Sequence, residues 1–350
     1  MLSSKTYIAT PPGATIKELL DDRGMSQREF SVRMDTSEKH ISRLINGEVR
    51  LTPNMAMRLE MVLGVPSRFW SNLEGIYREK LEKIQEENEM EEDLKLLKNF
   101  PYNEMAKHQW VENTRKPKER VFNLRKFFEI VRLSLLPEKE ILSIAYRKLG
   151  ENEKSYYTLL AWAQKAKLDA REIVTAPLNF KKLKENIPNF REMTTQNPSV
   201  FCDLLCEKLR ECGVALVFLP HLGGSFLHGA SFFDGEKLVL GLTVRGKDAD
   251  IFWFSFFHEL GHILMGHLNS SEGSPESKEE AADNFARNTL IKDEQFEAFV
   301  NLKGYNSQAI RAFAKEQGID PGIVVGRMQK EKVIPHSYHN DLKTKYSLSL

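Results

Sequence analysis

The sequence predicts a mainly α-helical protein with one small β-sheet, an α+β arrangement, and three observations carry that reading. Residues 14–74 are punctuated as short capped helices. A helical period then continues to about Leu209. At Gly213 it gives way to continuous apolar and β-branched runs, before a strongly apolar helix begins near Ile251. With 350 residues, 41% of them hydrophobic and 28% charged, the chain has material for two or three globular cores.

In the first segment, Thr15–Arg23 carries Ile16, Leu19 and Leu20 and stops at Gly24. Ser26, with Glu29 three residues on, forms a capping box that opens Gln27–Met34. Ser37 caps Glu38–Ile45, which closes at Asn46-Gly47. Pro53 starts Asn54–Leu63, ending at Gly64, and Pro66 starts a further turn through Trp70 and Leu73. Two helices joined by the tight Asp35-Thr36 turn, with a third behind, make a helix-turn-helix domain over residues 11–76.

In such a motif the outward residues of the second helix meet base edges, here Ser37, Glu38, Lys39, His40, Ser42 and Arg43. Arg43 or Lys39 can read guanine, while Ser42 and Gln27 hold phosphates. Arg23, Arg28, Arg33, Lys39, Arg43, Arg50 and Arg58 give the segment a basic excess. The whole chain has a net charge of only +1, so binding must come from this local patch. The expected partner is a DNA operator met through residues 26–46, by a homodimer, because one small module reads a half-site weakly. A small helical protein-interaction module has the same core and is the alternative.

Residues 77–100 mix charges densely and read as a solvated connecting helix. Residues 101–198 stay helical, with Phe127, Phe128, Tyr146, Trp162 and Leu168 as core and Pro177, Pro188 and Pro198 as punctuation. In residues 199–345, Val214–Leu219 reads as a buried strand. Phe226–Phe233, Asp234-Gly235 and Lys237–Thr243 read as a hairpin. Asn269–Lys278 is a loop, and helices follow at Glu279–Ile291, Glu294–Val300, Ser307–Gln317 and Pro321–Lys332. Cys202, Cys206 and Cys212, an odd number on one amphipathic stretch, read as core residues in a reducing compartment. No long apolar span or secretory signal occurs, which predicts a cytoplasmic protein without membrane contact.

The chemistry concentrates at His258-Glu-Leu-Gly-His262, preceded by the apolar run Ile251–Phe257. Four residues on a helix is about one turn, so both imidazoles leave one face toward a common point. That spacing suits two nitrogens about 2 Å from one Zn²⁺. Glu259 stands beside the first ligand, placed to take a proton from a metal-bound water. A catalytic zinc needs a third protein ligand, and Glu279-Glu-Ala-Ala-Asp283 on the following helix offers one. Glu279 is the preferred ligand because Asp283, one turn on, can then accept the spare N–H of His258. Glu280 is the rival ligand. His267 leaves the helix on another side and reads as a loop or supporting histidine, and His228 as a polar strand residue.

Residues 11–73, through Gly24-Met-Ser-Gln27, Ile41-Ser-Arg-Leu-Ile-Asn-Gly47 and Ala56-Met-Arg-Leu-Glu60, resemble the HigA-type, XRE-like antitoxin helix-turn-helix. Residues from about 200 to 300 resemble the ImmA/IrrE-like zinc metallopeptidases, through Gly213-Val-Ala-Leu-Val, Phe252-Trp-Phe and Phe257-His-Glu-Leu-Gly-His262. Glu279-Glu-Ala-Ala-Asp-Asn-Phe-Ala286 is similar to that family's second motif, which supplies the third ligand. Ala281 departs from the polar residue many relatives carry.

The resemblance implies a zincin-like metallopeptidase domain over residues 199–345. It also implies a DNA-binding regulator that cleaves a repressor-like or toxin-like protein. A regulator or antitoxin whose zinc domain senses or binds a partner without proteolysis is the alternative.

Overall fold

The computed structural model describes residues 2–136, 153–223, 228–243, 247–269 and 276–346. Of the sequence expectations, Tyr146, residues 226–227 of the first hairpin strand and residues 270–275 of the loop lie outside the described residues. The chain divides into two compact units, Met1–Lys95 and Leu96–Leu350.

In the first unit a short antiparallel pair, β1 (Leu2–Ser3) and β2 (Ile8–Ala9), precedes α1 (Pro12–Asp22), α2 (Gln27–Arg33), α3 (Glu38–Ile45) and α4 (Pro53–Leu63). Side-chain oxygens of Ser26, Ser37 and Thr52 accept from the amides of Glu29, His40 and Met55, satisfying helix donors that have no intrahelical partner. α1 starts three residues before the expected Thr15, because Pro12 at its first turn has the fixed φ a helix start needs. Ile16, Phe30, Ile41, Ala56, Leu59 and Trp70 close the core with no exposed surface.

The turn expected from Pro66 and the charged segment after it form one helix, α5 (Ser67–Leu97). Trp70 fills the helix-turn-helix core, while Tyr77 and Ile84 pack with Ala9 and Tyr7. Glu87 bonds the Ser4 and Thr6 hydroxyls, and Lys5 pairs with Glu91 at 2.7 Å. Part of the helix read as solvated is therefore covered by the β1–β2 pair.

The second unit contains α6 (Tyr102–Lys107), α7 (Pro117–Phe128), α8 (Glu153–Arg171), α9 (Phe180–Glu185), α10 (Ile187–Glu192) and α11 (Pro198–Glu211) before the sheet. Phe127, Phe128 and Trp162 are buried, whereas Leu168 is only half-buried. Cys212 is buried, and Cys202 and Cys206 are half-buried against the core, with burial pushing their thiols up to about 12 and about 11. Such thiols are inert at neutral pH.

The sheet has the order β3 (Val214–Leu219), β5 (Lys237–Thr243), β4 (Gly229–Asp234), with β5 parallel to β3 and antiparallel to β4. The hairpin turn falls at Gly235-Glu236, one residue later than expected. Asp234 stays in register with Lys237 and pairs with Arg171 at 2.8 Å, leaving Gly235 to take the positive φ of 61°. Alternation along β5 covers both faces. Leu238, Leu240 and Leu242 join the core formed with Phe252, Trp253, Phe256 and Phe257, while Gly241 faces Trp162 of α8.

A short strand, β6 (Lys247–Asp248), pairs with β7 (Lys345–Tyr346) and leads into α12 (Ala249–Leu264). After a 3₁₀ turn at His267–Asn269 come α13 (Glu276–Leu290), α14 (Asp293–Asn301), α15 (Ser307–Gln317) and α16 (Pro321–Lys330). α13 begins one turn earlier than expected, so residues 276–278 belong to the helix and not to the loop. α12 packs against α13, α16, β4 and β5. No described helix is long and apolar enough to cross a membrane.

Candidate metal centre and nucleic-acid interface

The apolar run Ile251–Phe257 makes the first half of α12 a core helix, and this buries the polar residues that follow it. His258, Glu259 and His262 are 5%, 2% and 0% exposed. The one-turn spacing brings His258 Nε2 and His262 Nε2 to 3.1 Å, and the Glu279 carboxylate lies 3.4 Å from each. Ligand atoms of these three residues all fall within 4.8 Å of one another. Two ring nitrogens and a carboxylate converging in a buried place form a donor set that fits a divalent cation, and its His₂Glu composition matches zinc. Glu280 is exposed and lies outside this cluster.

Gly261 sets the distance between the two ligand helices. A Cβ there would stand 3.1 Å from Phe285 Cδ1 and 3.3 Å from Ala282 Cα, so α13 crosses α12 at close range. Glu279 thereby reaches the histidines, and Asp283, one turn on, reaches the other side of His258. Asp283 Oδ1 lies 2.7 Å from His258 Nδ1. His267 Nδ1 in the 3₁₀ turn lies 3.0 Å from His262 Nδ1. Both imidazoles thus have an Nδ1 partner, leaving Nε2 toward Glu279 and toward each other.

Burial pushes the Glu279 carboxyl up, but hydrogen bonds and charge from His258 and His262 outweigh it and hold the group well below the usual range. For Asp283, burial likewise acts upward and the His258 hydrogen bond downward, with a net lowering.

Glu259, next to the first histidine on the helix, faces β4. Ser231 Oγ donates to Glu259 Oε2 at 2.8 Å within the buried interior. Sequence reasoning did not find Ser231. It precedes Glu259 by 28 residues on a strand, and nothing in its neighbours marks it. A cavity of about 390 Å³ opens beside the centre, with His228, Phe254, His258, Glu279, Asp283 and Lys330 among its lining. Its third wall, α16, was also unmarked in the sequence.

In the first unit, Lys39 and Arg43 are exposed on α3, as is its cap Ser37, and His40 and Ser42 are half-buried beside them. Gln27, at the start of α2, is half-buried. The Ser37 oxygen is engaged as a helix cap, and Arg43 Nε lies 3.5 Å from Glu48. The basic excess is confined to residues 23–58, with seven lysines and arginines against four acids; over residues 14–74 the two are equal at nine. Part of that excess is spent internally. Arg33 pairs with Glu29, Arg23 bonds the Val62 and Leu63 carbonyls, and Arg58 bonds the Met34 and Asp35 carbonyls that close the turn.

Fold and site together define a helix-turn-helix protein with a metallopeptidase-like second unit. Residues 16–70 match the helix-turn-helix family, and residues 216–325 match the IrrE N-terminal-like domain, a peptidase family. Over 66 residues the chain is 39% identical to the uncharacterized HTH-type transcriptional regulator YddM of Escherichia coli (strain K12). That stretch is 19% of this chain and 70% of that protein. The chain belongs to the helix-turn-helix regulator family and carries an IrrE N-terminal-like domain in the same polypeptide.

Proposed function

We propose that this chain is a DNA-binding regulator with a zinc-dependent endopeptidase centre. The observation that carries the reading is the convergence of His258, His262 and Glu279, with Glu259 buried beside them and held by Ser231. His258 Nε2, His262 Nε2 and the Glu279 carboxylate would hold Zn²⁺. The ion, when bound, supplies a Lewis acid that polarises a peptide carbonyl and acidifies a water. Glu259 accepts the proton of the attacking water on its carboxylate and delivers it to the leaving amine. Ser231 fixes the rotamer in which it does so. Asp283 and His267 hold the two imidazoles in the tautomer with Nε2 unprotonated.

The regulator half binds an operator through residues 26–46 as a homodimer. Lys39 and Arg43 meet bases, Ser37 and His40 stand at the groove edge, and Gln27 and Ser42 hold phosphates. In this reading the protein substrate is a repressor-like or toxin-like protein met in the cytoplasm, which the resemblance to fused regulator–peptidases supports. In this division residues 11–76 bind DNA, 77–100 connect, 101–198 form a helical middle region and 199–345 carry the peptidase. The test is Glu259→Gln, which keeps the three ligands. Loss of the regulatory switch in that variant, with zinc retained, supports proteolysis; a switch at full strength removes it and leaves a metal-dependent sensor.

A further inference from the structure

Three helices bring matching stripes into the cavity beside the metal centre. On α12, Ile251, Phe254 and His258 recur at helical spacing and share one face. Asp283 and Leu290 do the same on α13, as do Ile323 and Lys330 on α16. The polarity changes along the cavity. Lys330 is close enough to Asp283 to act on its charge, so it stands at the metal end. The Phe254 ring lies 6.3 Å from that of His258. The opposite end is walled by Leu290, Ile323 and Ile251, the last 37% exposed.

The charged side chains that line that end are drawn into ion pairs, although Asp250 Oδ1 is buried without a hydrogen-bond partner among the described residues. Asp250 pairs with Lys343 at 2.8 Å, and Asp293 takes both Arg287 and Arg327, at 3.1 and 2.5 Å. Gly326 keeps α16 tight against α12, since a Cβ there would stand 2.2 Å from Asp250 Oδ2. An occupant of this end meets the side chains of Ile251, Leu290 and Ile323 beside charges engaged in ion pairs, so burial of apolar surface selects it.

We propose that this end of the cavity is a subsite for a bulky aliphatic or aromatic side chain of an extended peptide substrate. The inference rests on the peptidase reading. Ile251 and His258 are seven residues apart, which is about 10 Å along a helix. An extended peptide covers that distance in about three residues. The anchoring side chain therefore lies about three residues from the cleaved bond.

Digestion of a randomised dodecapeptide mixture by the zinc-loaded protein, with sequencing of the product termini, tests this. The expected result is enrichment of Leu, Phe or Met over Asp and Lys by about 10-fold or more, about three residues from the cut. Ile251→Glu, at a partly exposed position, should keep zinc affinity and shift the preference toward Lys and Arg. Cleavage without an apolar preference there, or an unchanged preference in Ile251→Glu, overturns the subsite and leaves the peptidase standing. If no cleavage occurs, capture from the same mixture on zinc-loaded Glu259→Gln decides. Captured peptides rich in apolar anchors, and lost with Ile251→Glu, support the subsite while overturning the peptidase. Unselective or absent capture overturns the subsite.

Discussion

Asp283 Oδ1 stands 2.7 Å from His258 Nδ1, on the side of the ring opposite the Nε2 that faces His262 and Glu279. His258 and Asp283 come from different helices, so on the proposed reading zinc binding depends on the α12–α13 crossing. Asp283→Ala should weaken zinc binding by about 10- to 100-fold, measured by competition with a chelator, while the apo protein keeps its fold. Unchanged zinc affinity would mean that the contact does not orient the ring.

On the proposed reading His267 orients His262 as Asp283 orients His258, through a ring nitrogen 3.0 Å from His262 Nδ1 in place of a carboxylate. His267→Ala should cost about tenfold in zinc affinity, less than Asp283→Ala, and His267→Asn should restore part of it because its side-chain oxygen can accept from His262 Nδ1. Equal losses in both His267 variants would point to a packing role.

Ser231→Ala removes the hydroxyl that donates to Glu259. A hydrogen bond to a charged group contributes about 1.5–3 kcal/mol, so peptide turnover should fall by roughly 10- to 100-fold. Zinc affinity should not change, because Ser231 touches no ligand. A parallel fall in zinc affinity would show that the strand, and not the base, had been disturbed.

The acid behaviour of the metal-free protein follows from Glu279. Its folded-state pKa is held below the ordinary 4.5, so the stabilisation is fully present above that value and is lost as pH falls through the lower folded value. Thermal unfolding of the second unit should therefore shift to lower temperature below about pH 4.5, and Glu279→Gln should flatten that slope. Identical slopes in the two proteins would contradict the pairing of Glu279 with the histidines.

For the DNA half, Arg43→Ala with Lys39→Ala should weaken binding to a duplex selected from a random pool by several kcal/mol and reduce its salt dependence. Glu48 lies 3.5 Å from Arg43 Nε, so Glu48→Ala should tighten non-specific binding slightly by releasing that cation. If the double variant binds as the parent does, α3 is not the reading helix.

Much of this molecule was legible because its signals are local. Ser26, Ser37, Gly47, Pro53 and Gly64 mark helix ends within four residues of the bonds they make. The His258–His262 spacing likewise encodes its own geometry. That Glu279 and not Glu280 approaches the histidines was legible only through its turn-spaced partner Asp283. Ser231 and the α16 wall were not legible, since they reach the centre through strand pairing and helix packing that no short window contains. The fusion of the Pro66 turn with the charged segment was missed for a related reason. Tyr77 and Ile84 are held by an N-terminal hairpin of two-residue strands, too short to show a period. The shifted hairpin turn reflects a tertiary choice, the Asp234–Arg171 pair, over the local Asp-Gly preference.

The central claim is that His258, His262 and Glu279 form one zinc site. X-ray absorption at the zinc edge, with stoichiometry, measured on the parent, Glu279→Ala and Glu280→Ala, tests it most directly. The account predicts one zinc per chain bound by two imidazoles and oxygen in the parent and in Glu280→Ala, and its loss or marked weakening in Glu279→Ala. Sulfur in the zinc shell, no stoichiometric zinc, or loss in Glu280→Ala with retention in Glu279→Ala would contradict it.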